Sequence, residues 1–522
     1  MAPTFCNRCG DAFEERPGCD PREELAELDA LLERLTLKRY NLKRKINRFH
    51  SPIVRQLPPD VMSNIFESCL PDITDHQFQL FSSPAEMKKK YGNLFTPLSL
   101  GAICVYWRDI AWSTPSLWSS MLVCDPGDYN THIVTGIAED WLARSGRLPL
   151  FIRVFSKSYN KTVKALVDII NQYSTRWSDL DLEIPDYYFQ YFHATDNHAP
   201  ILKSIRLQRS TTSDEVNFQL TCPRLEKATL TYFPLDGINI QWDNLTHLTL
   251  HIMRVINSFF ILRKTPRLVF CKILSFFLLP PEGQIIPVVT PLKSLHLSKG
   301  SRTAEYFLDN LIAPHLEEFN LPRRSILGAE VVASLLRRST CSLRSLSMIF
   351  SISPQYLEAF MNLLQSMPSL TTLSITSVTA FKNTDPDECH PRNILQLVAK
   401  VVSSQSASES LQQGFLPNLK ILEYTGRIYL YPGNYDELYP LPPIDNAAHG
   451  PLHLFKLDLH SSTTRIPENM ISYLSSLVER GVTANVMSES GDILQTSIDY
   501  YRCRKDFLYG DWTNVFDSSL FS

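Results

Sequence analysis

The sequence repeats one short apolar pattern along much of its length, and this repeat limits what the chain can fold into. In each copy, an apolar residue is followed three positions later by a second and two positions after that by a third. Eleven triplets have this spacing: Trp177-Leu180-Leu182, Leu202-Ile205-Leu207, Leu225-Ala228-Leu230, Leu245-Leu248-Leu250, Leu268-Cys271-Ile273, Leu292-Leu295-Leu297, Leu316-Phe319-Leu321, Leu343-Leu346-Met348, Leu370-Leu373-Ile375, Leu419-Leu422-Tyr424 and Leu454-Leu457-Leu459.

Successive copies from Trp177 to Leu370 begin 20 to 27 residues apart, an interval that resembles the period of leucine-rich repeats. Each copy is too short to bury its apolar face alone, so neighbouring copies must stack, with strands on one side and helices on the other. We therefore predict an α/β leucine-rich-repeat solenoid over residues 122–480, with an insertion near 381–414. Residues 481–522 are predicted to form a C-terminal cap or tail.

A long helix is predicted before the repeats, over residues 21–50. Asp20 can cap this helix, and Pro21 suits its first position because the missing N–H would have no partner there. Seven of eight positions of a heptad seam are apolar, which predicts a coiled-coil-like helix. The seam is Leu25, Leu32, Arg39 and Ile46 at one heptad position and Leu28, Leu35, Leu42 and Phe49 at the other.

Charge is unevenly distributed along this helix, with acidic residues over 23–33 and basic residues over 38–48. Three explanations are open at this point. Each half can complement its own end of the helix dipole. Alternatively, two such helices can pair antiparallel, in one chain or through self-association of residues 21–50, so that acidic halves face basic halves. The basic half can also bind nucleic acid or a membrane surface.

Two apolar blocks separated by a polar stretch lie between the long helix and the repeats. The first follows the extended entry Leu57-Pro58-Pro59-Asp60, because a proline disfavours helix in the residue before it. Val61, Ile65 and Phe66 then recur at helical spacing. The apolar residues of the second block include Leu98, Val105, Trp107, Leu117 and Trp118.

These blocks resemble the F-box, a helical module that binds the Skp adaptor of cullin-based ubiquitin ligases. The likeness is carried by Leu57-Pro58, Ile65, Trp107-Arg108 and Leu117-Trp118. It implies a small all-α module over residues 51–121, with an inserted loop at 72–96 that is longer than in a compact F-box. The adaptor-binding residues that it implies are Leu57, Pro58, Val61, Ile65, Phe66, Leu98, Val105, Trp107, Leu117 and Trp118.

The order of a heptad helix, an F-box-like module and irregular repeats is similar to that of a group of fungal F-box proteins. This resemblance implies a non-catalytic substrate-recognition subunit of a Skp–cullin–F-box ubiquitin ligase. Such a subunit would bind the Skp adaptor, and through it cullin, with the module, and an unknown target protein with the repeats. The alternative is a scaffold whose F-box-like and repeat surfaces act outside ubiquitin transfer.

Composition excludes several other classes of protein. A formal net charge of -3 does not call for a nucleic-acid partner, and no stretch approaches the about 20 apolar residues that span a membrane. The odd number of cysteines, eleven, without an export signal, favours reduced thiols in the cytoplasm or nucleus.

Metal, cofactor and catalytic sites are not predicted. Cys6, Cys9 and Cys19 could supply three zinc ligands, but no fourth is evident, so residues 1–20 are interpreted as a flexible tail with free thiols. The possible metal ligands at 385–390 fall in the presumed insertion and are interpreted as a solvated loop. No nucleotide-binding, serine-hydrolase or zinc-protease motif occurs, so we expect no enzyme and no cofactor.

Overall fold

A computed structural model of the chain defines its fold. It describes residues 4–5, 12–13, 21–49, 56–70, 96–124, 130–157, 159–193, 198–209, 216–276, 286–298, 302–321, 329–350, 354–377, 415–426, 452–459, 466, 468–488 and 491–509. Most of the predicted loop 72–96, the predicted insertion 381–414 and the cysteines Cys6, Cys9 and Cys19 lie outside these ranges. The chain divides into two compact units, Met1–Ile152 and Arg153–Ser522.

The first unit is mostly helical. Its helices are α1 (Pro21–Phe49), α2 (Pro59–Ser68), α3 (Thr96–Ile103), α4 (Val105–Ser113) and α5 (Thr131–Arg144), with a short 3-10 helix at Pro115–Trp118. Its strands are β1 (Thr4–Phe5), β2 (Ala12–Phe13) and β3 (Ser120–Cys124), and β4 (Leu150–Phe155) contains the boundary between the units. Strands β1 and β2 pair antiparallel within the segment predicted as a flexible tail.

The proline pair fixes the start of α2. Pro58 is extended, with φ −61° and ψ 152°, and Pro59 takes the first helical position, where a missing N–H removes no hydrogen bond. The Pro58 carbonyl accepts a hydrogen bond from the Met62 N–H at 3.0 Å. The sequence therefore sets both the direction and the first residue of this helix.

The second unit alternates strands and helices. Its further strands are β5 (Trp177–Ile184), β6 (Ser204–Arg209), β7 (Phe218–Leu220), β8 (Lys227–Thr231), β9 (Ile238–Ile240), β10 (His247–Met253), β11 (Phe270–Phe276), β12 (Val288–Val289), β13 (Ser294–Leu297), β14 (Leu311–Ile312), β15 (Glu318–Leu321), β16 (Ser345–Phe350), β17 (Thr372–Ser377), β18 (Ile421–Gly426), β19 (Leu454–Leu459), β20 (Thr483–Ser488) and β21 (Gly491–Asp492). Its helices are α6 (Lys161–Asn171), α7 (Asp186–Phe189), α8 (Val255–Lys264), α9 (Arg302–Asp309), α10 (Ala329–Ser339), α11 (Pro354–Gln365), α12 (Glu468–Glu479) and α13 (Ile493–Tyr509).

One large sheet organises this unit. From β5 onward its strand order is β5-β6-β8-β10-β11-β13-β15-β16-β17-β18-β19-β20-β21, and all of these neighbours pair parallel except β20 and β21, which pair antiparallel. Two smaller parallel pairs, β7 with β9 and β12 with β14, lie outside it. The prediction of a mixed α/β fold is confirmed.

Ten of the eleven apolar triplets occupy equivalent positions in this sheet. The second and third residues of each triplet are buried, and they align with their counterparts on the next strand, as Leu180 does with Ile205 and Leu182 with Leu207. Parallel strands buried in this way present a continuous apolar face to the helices that cover them. A row of leucines from successive strands thus forms the core.

The eleventh triplet begins two residues earlier than predicted. Phe455 pairs with Leu422 and Leu457 pairs with Tyr424, so the equivalent triplet is Leu452-Phe455-Leu457. All three of its residues are buried. The sequence LHLFKLDL fits the spacing in both frames, and only the pairing with β18 decides between them.

A further strand, β20, extends the sheet into the segment predicted as a cap or tail. Val486 lies beside Leu457 and Ala484 beside Phe455, so this copy reads Gly481-Ala484-Val486. Only Val486 of the three is buried, whereas Gly481 is exposed and Ala484 half-buried, so this copy lacks the large apolar residues that mark the other triplets.

Buried ion pairs stabilise the start of this unit. The two Arg209 guanidinium nitrogens Nε and Nη2 donate to the Asp186 carboxylate oxygens at 2.9 and 2.6 Å, and Asp186 is 1% exposed. The Asp181 carboxylate lies 3.4 Å from Arg153 Nε and 3.1 Å from Arg206 Nη1. Removing one member of such a pair leaves a buried charge without compensation, which is much costlier than losing a surface pair.

We predict that Asp186→Ala destabilises the chain by about 3 to 5 kcal/mol, because it leaves the Arg209 guanidinium buried without its carboxylate. The melting temperature should fall by roughly 5 to 15 °C in a thermal scan. Glu317→Ala is the matched control, since Glu317 pairs with the exposed Lys293 at 3.6 Å. Equal losses in the two variants would contradict the importance of the buried pair.

Candidate interaction surfaces

Helix α2 has two apolar faces, only one of which lies in the core. Met62 and Phe66 are buried, whereas Val61 and Ile65 are 38% and 42% exposed. Val61 and Ile65 are four residues apart and therefore lie on the same side of the helix, one turn above the exposed Pro58. An apolar stripe on a ten-residue helix that is not needed for its own core is suited to contact another protein.

The buried face of α2 packs against α4. The rings of Phe66 and Trp107 are tilted, with centroids 5.0 Å apart. The start of α4 is capped by Cys104, whose sulfur accepts a hydrogen bond from the Trp107 N–H at 3.4 Å. Trp107 remains half-buried, so one part of its ring supports Phe66 and the other part is open to solvent.

Trp118 is the centre of the core of this unit. Its indole N–H donates to the Ala111 carbonyl at 2.7 Å, and its ring meets Trp141 of α5 edge-on at 4.9 Å. The Arg144 guanidinium lies over both Trp112 and Trp118, 4.9 Å from each ring centroid, in a geometry that favours cation–π attraction. These contacts hold α5 against the end of α4 and orient the exposed Trp112.

The ten residues implied by the F-box resemblance fall into three groups. Phe66, Leu117 and Trp118 are buried and support the module from within. Leu57, Leu98, Val105 and Trp107 are half-buried, and Pro58, Val61 and Ile65 are exposed. The assignment of adaptor binding to these residues remains a prediction, and the exposed and half-buried ones are those that a partner could reach.

Two exposed residues of the same unit were not among the predicted contacts. Ile103 at the end of α3 is 54% exposed, and Trp112 on α4 is 42% exposed. Trp112 lies in an apolar block of the sequence, and the sequence of this block does not distinguish an exposed ring from a buried one. Only the tertiary packing of the unit decides which ring is exposed.

The side chains that alternate with the buried triplets lie on the opposite face of the large sheet. We call this the open face. In register across neighbouring strands it carries the row Asp179, Ser204, Lys227, His247, Phe270, Ser294, Glu318, Ser345 and Thr372, and the row Asp181, Arg206, Thr229, Thr249, Lys272, His296, Asn320, Ser347 and Ser374. This face is polar over most of its length.

One aromatic cluster interrupts the polar rows. The ring of Phe270 stacks on His247, with centroids 5.6 Å apart, and meets His296 at 4.9 Å. His296 Nε2 lies 3.0 Å from Ser294 Oγ, which donates to a Glu318 carboxylate oxygen at 2.8 Å. Large side chains held in place by such contacts are typical anchors of protein interfaces.

The two histidines of this cluster are less basic than usual. Burial lowers the pKa of His247, and the nearby Lys227 acts in the same direction. Burial also lowers the pKa of His296, although Glu318 opposes this effect. Both rings are therefore neutral at pH 7, and the cluster presents an uncharged aromatic surface.

Two buried cysteines of the repeat unit, Cys222 and Cys271, have unreactive thiols. Burial raises the pKa of Cys222 to about 11 and of Cys271 to about 12. Both remain protonated thiols at neutral pH, and a thiol is a poor nucleophile compared with a thiolate. Among the residues that the structure describes, no group of three or more His, Cys, Asp or Glu side chains is arranged to hold a metal ion.

No helix within the described residues combines the length and apolar character needed to cross a membrane. No protein-family model matches the chain, and no curated protein matches it either.

Among solved structures, the chain is similar to one chain of the crystal structure of the Rad7 and Elc1 complex in yeast. The sequence identity is 14% and the TM-score is 0.25, over 80% of this chain and 97% of that chain. A likeness at this level establishes neither a family nor a function.

An unusual carboxyl lies at the first strand of the open face. Burial raises the pKa of Glu183 to about 7, although Arg153 lowers it and Asp181 adds to the rise. In the unfolded chain this carboxyl ionises near its ordinary pKa of 4.5. The folded state therefore becomes less stable as the pH rises from about 4.5 to about 7, because in this range the unfolded chain releases the proton and the folded chain keeps it.

We predict that Glu183→Gln stabilises the chain at pH 8 by about 2 kcal/mol, since glutamine carries no charge to desolvate. The melting temperature should rise by roughly 4 to 8 °C at pH 8. The difference from the unsubstituted chain should vanish below pH 4.5, where the carboxyl is protonated in both states. A gain of equal size at both pH values would contradict the assigned pKa.

Proposed function

We propose that the chain is a substrate-recognition subunit of a Skp–cullin–F-box ubiquitin ligase. In this proposal the helical module binds a Skp-type adaptor, and through it cullin, while the repeats bind a target protein. The observation that carries the proposal is the exposed apolar stripe of Pro58, Val61 and Ile65 on α2, within the block whose sequence resembles the F-box. A helix whose second apolar face stays more than a third exposed is suited to dock a partner.

The proposed adaptor surface combines this stripe with the half-buried residues around it. Val61 and Ile65 supply apolar area that a partner can bury, at about 25 cal/mol per Å². Trp107 is half-open and is held in position by Phe66, so its ring loses little freedom on binding. The buried Phe66, Leu117 and Trp118 act indirectly, by keeping α2 and α4 in place.

The proposed target surface is the open face of a leucine-rich-repeat solenoid. Strands at regular intervals, each with a buried triplet of equal register, support this assignment. The aromatic cluster of His247, Phe270 and His296 is the proposed anchor for the target, since it is the place where a row of polar side chains gives way to stacked rings. The polar residues on either side would give the surface its specificity.

The proposed subunit performs no chemistry itself. It would hold a target at a fixed position near a conjugating enzyme that carries activated ubiquitin. Tethering of this kind raises the effective concentration of the target lysine and makes the transfer step effectively intramolecular. A nucleophilic residue in this chain is not required by the proposal.

We predict that Val61→Asp combined with Ile65→Asp weakens binding to a Skp-type adaptor by about 100-fold, because two charges would be buried at the interface. Calorimetry or a pull-down with purified adaptor measures this loss. Ile133→Asp is the matched control, since Ile133 is an equally exposed isoleucine on α5. Unchanged adaptor binding by the double variant with an intact far-ultraviolet dichroism spectrum would overturn the proposed surface.

The proteins that are recovered together with the adaptor distinguish the ligase subunit from the alternative, a scaffold that acts outside ubiquitin transfer. Recovery of the adaptor together with cullin supports the ligase subunit. Recovery of the adaptor without cullin, under conditions in which an established F-box protein recovers both, supports the scaffold.

For the target surface, we predict that Phe270→Ser abolishes the capture of target proteins and leaves adaptor binding unchanged. The ring is half-buried on the open face, so the change removes an anchor with little effect on the core behind it. Quantitative mass spectrometry of the proteins retained by the unsubstituted chain and by the Phe270→Ser variant measures the loss. Ser347→Ala, on the same face at a distance of several strands, is the control and should retain the same proteins.

A further inference from the structure

Helix α1 is a long amphipathic helix whose apolar seam is exposed within the part of the chain that the structure describes. Every described side chain from residue 22 to 46 is exposed, including the seam leucines. The exposed seam residues are Leu25, Leu28, Leu32, Leu35, Leu42 and Ile46. An isolated helix is only marginally stable in water, and most helices owe their stability to the burial of an apolar face. The seam of α1 is therefore suited to pair with another helix.

The contacts that α1 offers to its own unit lie away from the seam. A cavity of about 450 Å³ is lined by Tyr40, Lys43 and Arg44 of α1 and by residues of α3 and α4. In the heptad that places Leu25 at a and Leu28 at d, these three residues occupy positions b, e and f. The seam thus remains open when α1 lies beside this cavity.

We propose that α1 pairs antiparallel with α1 of a second copy of the chain. The choice of a second copy follows from charge complementarity. Residues 23 to 33 carry the acidic side chains and residues 38 to 45 the basic ones, so a helix that runs in the opposite direction places each half against its opposite.

The heptad positions define one register for this pair. With the two helices centred on residue 37, Leu32 faces Leu42 of the second copy and Leu28 faces its Ile46. The single charged seam residue, Arg39, then faces Leu35 and can extend its guanidinium to solvent along that side chain. In a parallel pair, Arg39 would instead meet Arg39 in the same layer of the seam.

The flanking charges also separate the two directions. In the antiparallel pair, the e positions of the two helices lie next to each other, so Asp29 of each helix lies beside Lys43 of the other. The g positions also lie next to each other, and the only charged pair that they form is Lys38 with Lys38 of the second copy. In a parallel pair each g residue meets the e residue of the next heptad, so Glu24 would face Asp29 and Lys38 would face Lys43. Over residues 22–46, the antiparallel pair therefore has two attractive contacts and one repulsive contact, whereas the parallel pair has four repulsive contacts.

The first test is the mass of the purified full-length chain by sedimentation equilibrium between about 1 and 50 μM. We expect a dimer that dissociates on dilution. Leu32→Glu should shift the dissociation constant upward by at least about 100-fold, because it places two carboxylates in one seam. Leu37→Glu is the matched control, since Leu37 and Leu32 are both 60% exposed but Leu37 lies at position f.

The second test determines the direction of the helices. Asp29→Lys and Lys43→Asp should each weaken the antiparallel dimer about tenfold, and the double charge swap should restore it. The same single changes would strengthen a parallel dimer, because each would place opposite charges together. A chain that is monomeric at 50 μM would overturn self-pairing, and so would equal effects of the Leu32 and Leu37 changes. Single swaps that tighten the dimer would overturn the antiparallel direction.

Discussion

The structure of the larger unit depends on the lateral pairing of parallel strands that carry buried residues at equal register. No single copy has enough apolar surface to fold alone, because its triplet is covered only when a strand lies on each side and a helix or loop lies behind. The pairs Leu180 with Ile205 and Leu346 with Leu373 show the same alignment at distant points of the sheet. This alignment places the intervening side chains on the open face, where a partner can reach those that are exposed.

The helical unit follows a different principle, in which one short helix serves two purposes. Phe66 and Met62 anchor α2 in the core, and this leaves Val61 and Ile65 on its outer side. The helix can present these residues in a fixed orientation because Pro58 and Pro59 determine where it begins. The Arg144 guanidinium of α5 lies over the Trp112 and Trp118 rings and stabilises the same unit. A rigid support of this kind reduces the entropy that is lost when a partner binds.

Periodic features of the sequence were predictable, and features that depend on pairing between distant residues were not. The triplets identified the ten strands of the large sheet from β5 to β18, because most of these triplets recur at regular spacing. The frame of β19 was wrong by two residues, since its leucines satisfy the pattern twice and only the partner strand selects one frame. Strand β20 was missed because Gly481 and Ala484 replace the expected large residues.

Similar reasons apply to the candidate surfaces. Sequence spacing grouped Ile65 and Phe66 together, although one is exposed and the other is in the core, because adjacent residues of a helix differ in direction and the packing partner decides which is buried. The cluster around Phe270 could not be predicted, since its two histidines come from neighbouring strands, 23 residues before it and 26 residues after it. Its members become visible only when the strands are in register.

We propose that the helical module, and not the repeat sheet, docks a Skp-type adaptor. Hydrogen exchange of the full-length chain, measured by mass spectrometry with and without purified adaptor, tests it most directly. We expect slower exchange in peptides that cover residues 56–70 and 96–113 on addition of the adaptor, and unchanged exchange in peptides from β5 to β19. Protection confined to the repeat strands, or no protection at saturating adaptor, would contradict it.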